Sequence, residues 1–600
     1  MRTHYCGDLR ASDAGRDVTL AGWVHRRRDQ GGVTFLDLRD RAGRVQIVVH
    51  VDEQPGAHAA AQHLRPEWVV LVRGLVRERP PGTRNPNLPT GDVEVAAASI
   101  EVLAEAETPP FQVEDRIDVG EEVRLRYRYL DLRRPEMQRI LRLRHTVGSV
   151  MRRHLDAEGF VEVETPMLTK STPEGARDFL VPSRLEPGSF FALPQSPQLF
   201  KQLLMVAGID RYYQLVRCFR DEDPRADRQP EFTQLDVEMS FIDEADLMET
   251  MERMVAAIFR EALGVELPVP FPRMAYADAM EAFGSDKPDL RFGLEMVEVT
   301  GVFAGSGVQV FRRVLDGGGA AKAIVVPGRL LGRKELDHLL GVAKRLGAGG
   351  LAWVRFEEGR IDSPLAKALA EAEVAALAAE TGAKPGDTVL LVVDRRATAQ
   401  KVLGGVRLEL ADMLGLRPPH EPGDLASWRF LWVVDPPLVE WNEGEARWDP
   451  THHPFTSPAV EDEALLESDA GRVRARAYDL VLNGWELGGG SIRIHRPALQ
   501  RRVFSLIGID EERAERRFGW FVKAFDFGAP PHGGIALGLD RFVALLAGRD
   551  SIRDAIAFPK TSSFTDLLAG APDRVDPAQL EELHVRTVDP PTAPPGGQGG

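Results

Sequence analysis

Between positions 217 and 241 the chain concentrates charge at a density that a simple turn does not need. Arg220, Asp221, Glu222, Arg225, Arg228 and Gln229 lie between two apolar runs, 212–218 and 232–241. Both runs alternate in period two and read as strands. Guanidinium forks fixed at a strand end suit a polyphosphate, because Arg grips phosphate oxygens in pairs and keeps its charge. On these residues alone, a solvated, salt-bridged hairpin is an equal alternative.

Further segments gather polar residues that a core does not explain. Lys170-Ser-Thr-Pro-Glu174-Gly is a loop of lid-like composition, although most such loops only connect. In Gln195-Ser-Pro-Gln-Leu-Phe-Lys201, Ser196 is expected to cap a helix with Pro197 in its first turn, with Gln198 and Lys201 on one face. Asn483-Gly484 signals a two-residue hairpin turn. With regular pairing outward, Asp479 falls on the face of Glu486, one diagonal step away. Two carboxylates that close repel unless a cation lies between them, and hard oxygen ligands suit Mg²⁺; two solvent-facing acids on an edge hairpin are the plainer reading. The run Gly488-Gly-Gly490 implies close approach of a ligand or another backbone, and Arg493 follows on the same surface. The glycine-rich turn 533–538, running through Gly538-Leu539-Asp540 into Arg541, is neither a P-loop nor a dinucleotide fingerprint. It can still bring backbone and a fixed cation near a phosphate. His452-His453 lacks a third nearby ligand for a metal.

The elements that must hold these groups fall into three textures. Segments 17–28, 33–39, 44–51, 68–77 and 92–103 alternate apolar and polar residues between Gly and Pro breaks, as in a small barrel of the OB type. Residues 105–135 form an acidic, Pro-containing linker that passes into an Arg-rich stretch. A helix is expected over 136–158, with Ile140, Leu143, Val147, Val150, Met151 and Leu155 as its apolar stripe and Gly159 as its cap. A strand over 160–165 follows, and another helix lies near 243–263. After Gly293 the texture turns Gly- and Ala-rich, with a helix at 364–381, and reverts to strands at Trp428. We read 1–104 as the barrel, 136–292 and 428–585 as two parts of one antiparallel-sheet domain, 293–427 as an inserted α/β domain, and 586–600 as a disordered tail. A helix over 542–548 closes the glycine-rich turn.

Six hundred residues exceed one hydrophobic core, and a hydrophobic content of 43% suits a soluble chain. No apolar run approaches membrane-spanning length and no apolar signal core opens the chain. Two distant cysteines, Cys6 and Cys218, exclude a disulfide framework, so a cytoplasmic location is expected. Net charge is −16, yet residues 124–153 hold ten Arg against Asp131 and Glu136, a local +8. Such a cluster serves either a phosphate backbone or interdomain salt bridges.

Together these segments resemble the class II aminoacyl-tRNA synthetases. The helix and strand ending at Pro166 resemble motif 1, Phe219-Arg-Asp-Glu222 motif 2, and Gly538-Leu-Asp-Arg541 motif 3. The barrel points to the aspartate/asparagine/lysine subgroup. Gln195-Ser-Pro-Gln-Leu-Phe-Lys201, His452-His453-Pro-Phe-Thr456 and the insert are similar to the bacterial-type aspartyl branch. The resemblance implies aspartate activation by ATP, pyrophosphate release, and transfer to the terminal ribose of tRNA-Asp by a homodimer. It implies that Arg220 holds the α-phosphate and Arg541 the γ-phosphate, that Asp221, Glu222, Gln229, Glu486 and Gly538–Arg541 line the ATP site, and that Asp479 and Glu486 carry Mg²⁺. Arg220, Arg541 and Glu486 would carry catalysis.

By the same resemblance, Lys201 and Arg493 would meet the aspartate side chain as cations that asparagine leaves partly unmatched. Glu174, Ser196, Gln198 and Asp236 would surround its ammonium, with Arg220, His452 and His453 adding contacts. Arg28, Phe35, Gln46 and Glu94 would read the anticodon on the barrel face, where splayed bases stack on aromatics. In Val33-Thr-Phe-Leu-Asp-Leu38, Phe35 points away from Leu36 and Leu38, so one of those faces is exposed. Gln30 leaves open whether tRNA-Asn is also charged, with the discriminating form as the expectation. A non-catalytic, synthetase-like RNA-binding protein is the alternative, against which the retained charged residues argue.

Overall fold

The computed structural model describes residues 1–172, 175–223 and 228–588. Glu174, Arg225 and most of the expected tail lie outside them. These described residues divide into two compact units, residues 1–144 with 228–229 and 551–574, and the described residues of 145–223, 230–550 and 575–588.

In the first unit, strands Asp17–Gln30, Val33–Asp40, Gly43–His50, Val69–Glu78 and Val93–Ala104 close into a barrel. Alternation fills its interior with Val18, Leu20, Leu36, Leu38, Val45, Ile47, Val72 and Val95, all nearly solvent-free. A helix, Pro55–His63, packs Ala57 and Ala61 onto this core; the strand pattern gave no sign of it. Several arginines of the 124–144 stretch are consumed inside this unit. Arg128 is buried and donates to the carbonyls of Ala557 (2.9 Å) and Ile556 (2.8 Å). Asp131 receives Arg134 at 2.8 Å and lies 3.8 Å from Arg124. Arg133 meets Glu67 at 2.9 Å. These groups act as internal fasteners.

The second unit is built on an eight-stranded sheet in the order Arg273–Ala275, Phe430–Val434, Ala477–Leu482, Trp485–Ile492, His532–Gly538, Glu231–Ser240, Arg211–Phe219, Val161–Glu162. Its six central strands are antiparallel, and the short outer strands pair in parallel. The strand expected over 160–165 is only Val161–Glu162. Helix Pro135–Ala157 buries its expected stripe, and Gly159 turns at φ +80° after it. Helix Glu244–Leu263 starts in a capping box: Asp243 accepts from Ala245 (2.8 Å) and Asp246 (3.1 Å), and Asp246 returns to the Asp243 N–H (3.0 Å). Such a cap contributes about 1 kcal/mol. The helix lays Leu247, Met251, Met254, Val255 and Ile258 into the core.

Within 293–427 a second sheet runs Met296–Glu298, Ala320–Val326, Thr388–Asp394, Ala352–Glu357, Arg360–Asp362. One face packs helices Arg333–Arg345 and Arg396–Leu414, and the other packs Gln309–Asp316 and Glu371–Thr381. The helix expected from 364 begins at Glu371 instead.

Candidate active site

Strand Glu231–Ser240 is the centre of the site. Its alternation sends Asp236 and Glu238 to one face, where neither is more than 1% exposed. Lys201 reaches them from helix Gln198–Val206, its ammonium 3.1 Å from Asp236 Oδ1 and 3.2 Å from Glu238 Oε2. Arg493, just past strand Trp485–Ile492, donates its Nε–H to Glu238 Oε1 at 2.9 Å and its Nη2 to Glu238 Oε2 at 3.2 Å, while Nη1 reaches Ser491 Oγ (2.6 Å) and His453 Nε2 (2.6 Å). Two cations and two anions thus neutralise one another in a buried quartet. Gly534, on the neighbouring strand, makes this possible: a Cβ there would overlap Glu238 Oε2.

This arrangement corrects one expectation. Lys201 and Arg493 are not uncompensated cations, because Glu238 pairs with both. Burial raises the Glu238 pKa, but Arg493 and Lys201 outweigh it and hold the carboxyl below its ordinary range. For Asp236 burial prevails over Lys201, and its carboxyl is pushed up. Asp236 Oδ2 is buried without a hydrogen-bond partner, as is Gln198 Nε2. Burial, then Arg493, holds the His453 pKa well down. Its Nε2 faces the Arg493 guanidinium, and its Nδ1 faces the Phe455 N–H at 3.2 Å.

The hairpin Ala477–Leu482/Trp485–Ile492 turns with Asn483 at φ +53° and Gly484 at φ +83°, the left-handed pair of a type I′ turn. Leu482 faces Trp485 and Val481 faces Glu486 as expected. Next comes a bulge, so that Leu480 pairs with Gly488 and Asp479 with Gly489. Regular pairing was therefore wrong beyond Val481, since Leu487 is the extra residue. Asp479 and Glu486 nonetheless share a face. Burial, then Glu486 and Asp286, pushes the Asp479 pKa well above its ordinary value. Its Oδ1 is buried and unpartnered. His452 Nδ1 stands 4.0 Å from that oxygen, so of the His pair only His453 touches the quartet.

Arg220 follows strand Arg211–Phe219. It donates Nε–H to the Gln195 carbonyl at 3.4 Å and stacks over Phe232 at 5.1 Å. Asp221 pairs with Arg177 at 3.6 Å, and Glu222 is half-buried beside it. Arg541, near the start of helix Leu539–Leu546, donates to the Glu486 carbonyl at 2.6 Å. That helix starts directly after Gly538 rather than at 542, which puts Leu539 in the core. Asp540 is buried, taking the Thr233 N–H at 2.7 Å. Ser196 accepts from Gln198 N–H at 3.2 Å, while Pro197 is the cap position, one residue later than expected. In the first unit, Gln229 pairs both amide atoms with the backbone of Lys560, at 3.0 and 2.7 Å.

Glu238 was not among the sequence candidates, and its signal was parity alone: it lies two positions from Asp236. Gln195 was also missed. Its amide clasps the Ala176 backbone at 2.8 and 3.2 Å, and with Ser196, Asp178, Phe200 and Trp520 it lines a cavity of about 320 Å³. Among the described residues no cluster of three or more His, Cys, Asp and Glu side chains is placed to hold a metal ion.

On the barrel, register carries the four candidates onto one outer face. Arg28 lies opposite Phe35, Asp37 opposite Gln46, and Gln46 opposite Glu94. Arg28 bonds Asp37 (3.2 Å) and Gln46 (3.3 Å), and Gln46 bonds Glu94 (3.0 Å). Phe35 is half-buried beside them, while Leu36 and Leu38 fill the core.

Residues 120–562 match the family model of tRNA synthetases class II (D, K and N), and residues 18–103 match that of the OB-fold nucleic acid binding domain. An aspartate–tRNA(Asp/Asn) ligase of Moorella thermoacetica is 56% identical over 98% of this chain and 97% of its own. An aspartate–tRNA ligase of Geobacillus kaustophilus is 53% identical over 98% and 99%. The crystal structure of asparaginyl-tRNA synthetase from Pyrococcus horikoshii with asparaginyl-adenylate superposes with a TM-score of 0.58 at 20% identity. It covers 93% of this chain and 98% of that one, a likeness of fold.

Proposed function

We propose that this chain, which belongs to the class II tRNA synthetases (D, K and N), is an aspartate–tRNA ligase acting on tRNA-Asp. The α-carboxylate of aspartate attacks the α-phosphorus of ATP and pyrophosphate leaves; the terminal ribose hydroxyl of tRNA then attacks the carbonyl and AMP leaves. Neither step needs a protein nucleophile, so the site contributes position and charge.

The observation that carries the reading is the buried quartet with its open acceptor. Asp236 Oδ2 has no partner and would take the substrate ammonium, with Gln198 and Ser196 alongside. Lys201 and Arg493 would turn donors toward the side-chain carboxylate, and His453 steadies Arg493. Arg220, fixed by Gln195 and Phe232, would hold the α-phosphate, and Arg541 the far end of the triphosphate. The buried, unpartnered Asp479 oxygen beside Glu486 fits a hard cation. These two residues would hold Mg²⁺, which when bound offsets charge on the phosphates.

The barrel face of Arg28, Phe35, Gln46 and Glu94 would take the anticodon. A homodimer built on the 135–162 region is supported by the outermost strand Val161–Glu162, whose Val161 is 47% exposed. A cytoplasmic location fits two buried free cysteines; no helix among the described residues is long and apolar enough to cross a membrane. A second reading, charging of tRNA-Asn as well, is favoured by the name of the Moorella relative. Charging assays with both tRNAs test it, and aspartate-dependent ATP–pyrophosphate exchange tests the ligase itself.

A further inference from the structure

The 293–427 insert touches the catalytic sheet through a short loop whose ends are fixed and whose tip is exposed. At one end Gly284, at φ +64°, lies against insert helix Arg396–Leu414: a Cβ on Gly404 would stand 2.8 Å from the carbonyl oxygens of Phe283 and Gly284. At the other end Asp289 is buried. Its carboxylate takes Arg291 (2.7 Å) and Arg417 (3.2 Å), and its Cβ underlies the Asn483–Gly484 turn, 3.1 Å from where a Gly484 Cβ would be. Arg407 of the insert helix locks this end. It is 1% exposed, donates to the carbonyls of Asp289 (2.9 Å) and Phe292 (2.8 Å), and stacks on Phe292 at 4.1 Å. The loop is therefore clamped between the insert and the hairpin that carries Asp479 and Glu486.

Asp286 and Lys287 form its exposed tip, and both act on Asp479 through space. Lys287 thus stands exposed on a fixed loop next to the hairpin whose carboxylates crowd one another. A point charge of this kind binds phosphate well, and less ordering entropy is lost when the loop is already fixed.

We propose that Lys287 is a triphosphate-binding residue, contacting the β- or γ-phosphate of ATP, and that the insert serves to hold its loop at the Asp479–Glu486 hairpin. This rests on the ATP-dependent ligase reading above. A lysine that only neutralises its acidic neighbours is the competing role, and it predicts no selective effect on ATP.

The test is Lys287→Met, with Lys287→Arg as the conservative control, assayed by aspartate-dependent ATP–pyrophosphate exchange and by calorimetric titration with ATP. Loss of one charge-assisted contact should raise KM and Kd for ATP about five- to thirtyfold. KM for aspartate and Tm should stay put, and Arg should restore most of the binding. Gly404→Ala, far from the nucleotide, should reproduce the ATP-selective rise by displacing the loop. An unchanged KM and Kd for ATP in Lys287→Met, or an equal rise for both substrates, would overturn the assignment. Absence of exchange in the unmodified protein would instead sink the ligase reading, while the ATP titration would still report on Lys287.

Discussion

Glu238 accepts the Arg493 Nε–H at 2.9 Å with both side chains at most 2% exposed, and the same carboxylate meets Lys201 at 3.2 Å. The proposed amino-acid site is thus a pre-neutralised quartet. Removing one member leaves a buried charge without its partner, which costs about 3–5 kcal/mol. Glu238→Gln should therefore lower Tm by several degrees in thermal unfolding and weaken aspartate binding more than ATP binding. A Tm within one degree of the unmodified protein would contradict the pairing.

Asp479→Asn should separate stability from activity. A carboxyl whose folded pKa is raised above its unfolded value binds more protons when folded. Its penalty is absent at low pH and grows as pH rises through the folded pKa. At neutral pH the nucleotide-free Asn variant should be more stable than the unmodified protein, with the gap closing in acid. Its exchange activity should be lost, because the hairpin forfeits a proposed Mg²⁺ ligand. Tm measured across pH checks the first point, and equal Tm values at neutral pH would refute it.

Phe35→Ala should leave aspartate-dependent exchange unchanged and raise KM for tRNA. Base–aromatic stacking contributes about 1–3 kcal/mol, or roughly five- to 150-fold. The half-buried ring stands outside the barrel core, so circular dichroism should show an intact fold. Unaltered tRNA charging kinetics would remove Phe35 from the proposed anticodon face.

How much of this was legible in the sequence depends on the range of the interaction. Period-two alternation placed the five barrel strands and turned Phe35 outward, and the 3.6-residue stripe from Ile140 to Leu155 marked its helix, because those patterns are local. Asn483-Gly484 also announced its turn, yet the bulge at Leu487 was invisible, since it is shaped by packing against the neighbouring strand. Glu238 was within reach by parity with Asp236. Its role depends on Gly534, nearly three hundred residues away, leaving room for its carboxylate. The Arg-rich 124–153 stretch suggested phosphate or salt bridges equally. Only the fold shows Arg128 and Arg134 spent on internal carbonyls and on Asp131.

The central claim is that this quartet selects aspartate for activation by ATP. Its most direct test is ATP–pyrophosphate exchange by the purified protein with aspartate, asparagine or lysine as the amino acid, alongside Lys201→Met. The account predicts exchange with aspartate, at least a hundredfold less with the other two, about 3 kcal/mol of discrimination, and none in the variant. Exchange that is independent of aspartate, or undiminished in Lys201→Met, would contradict it.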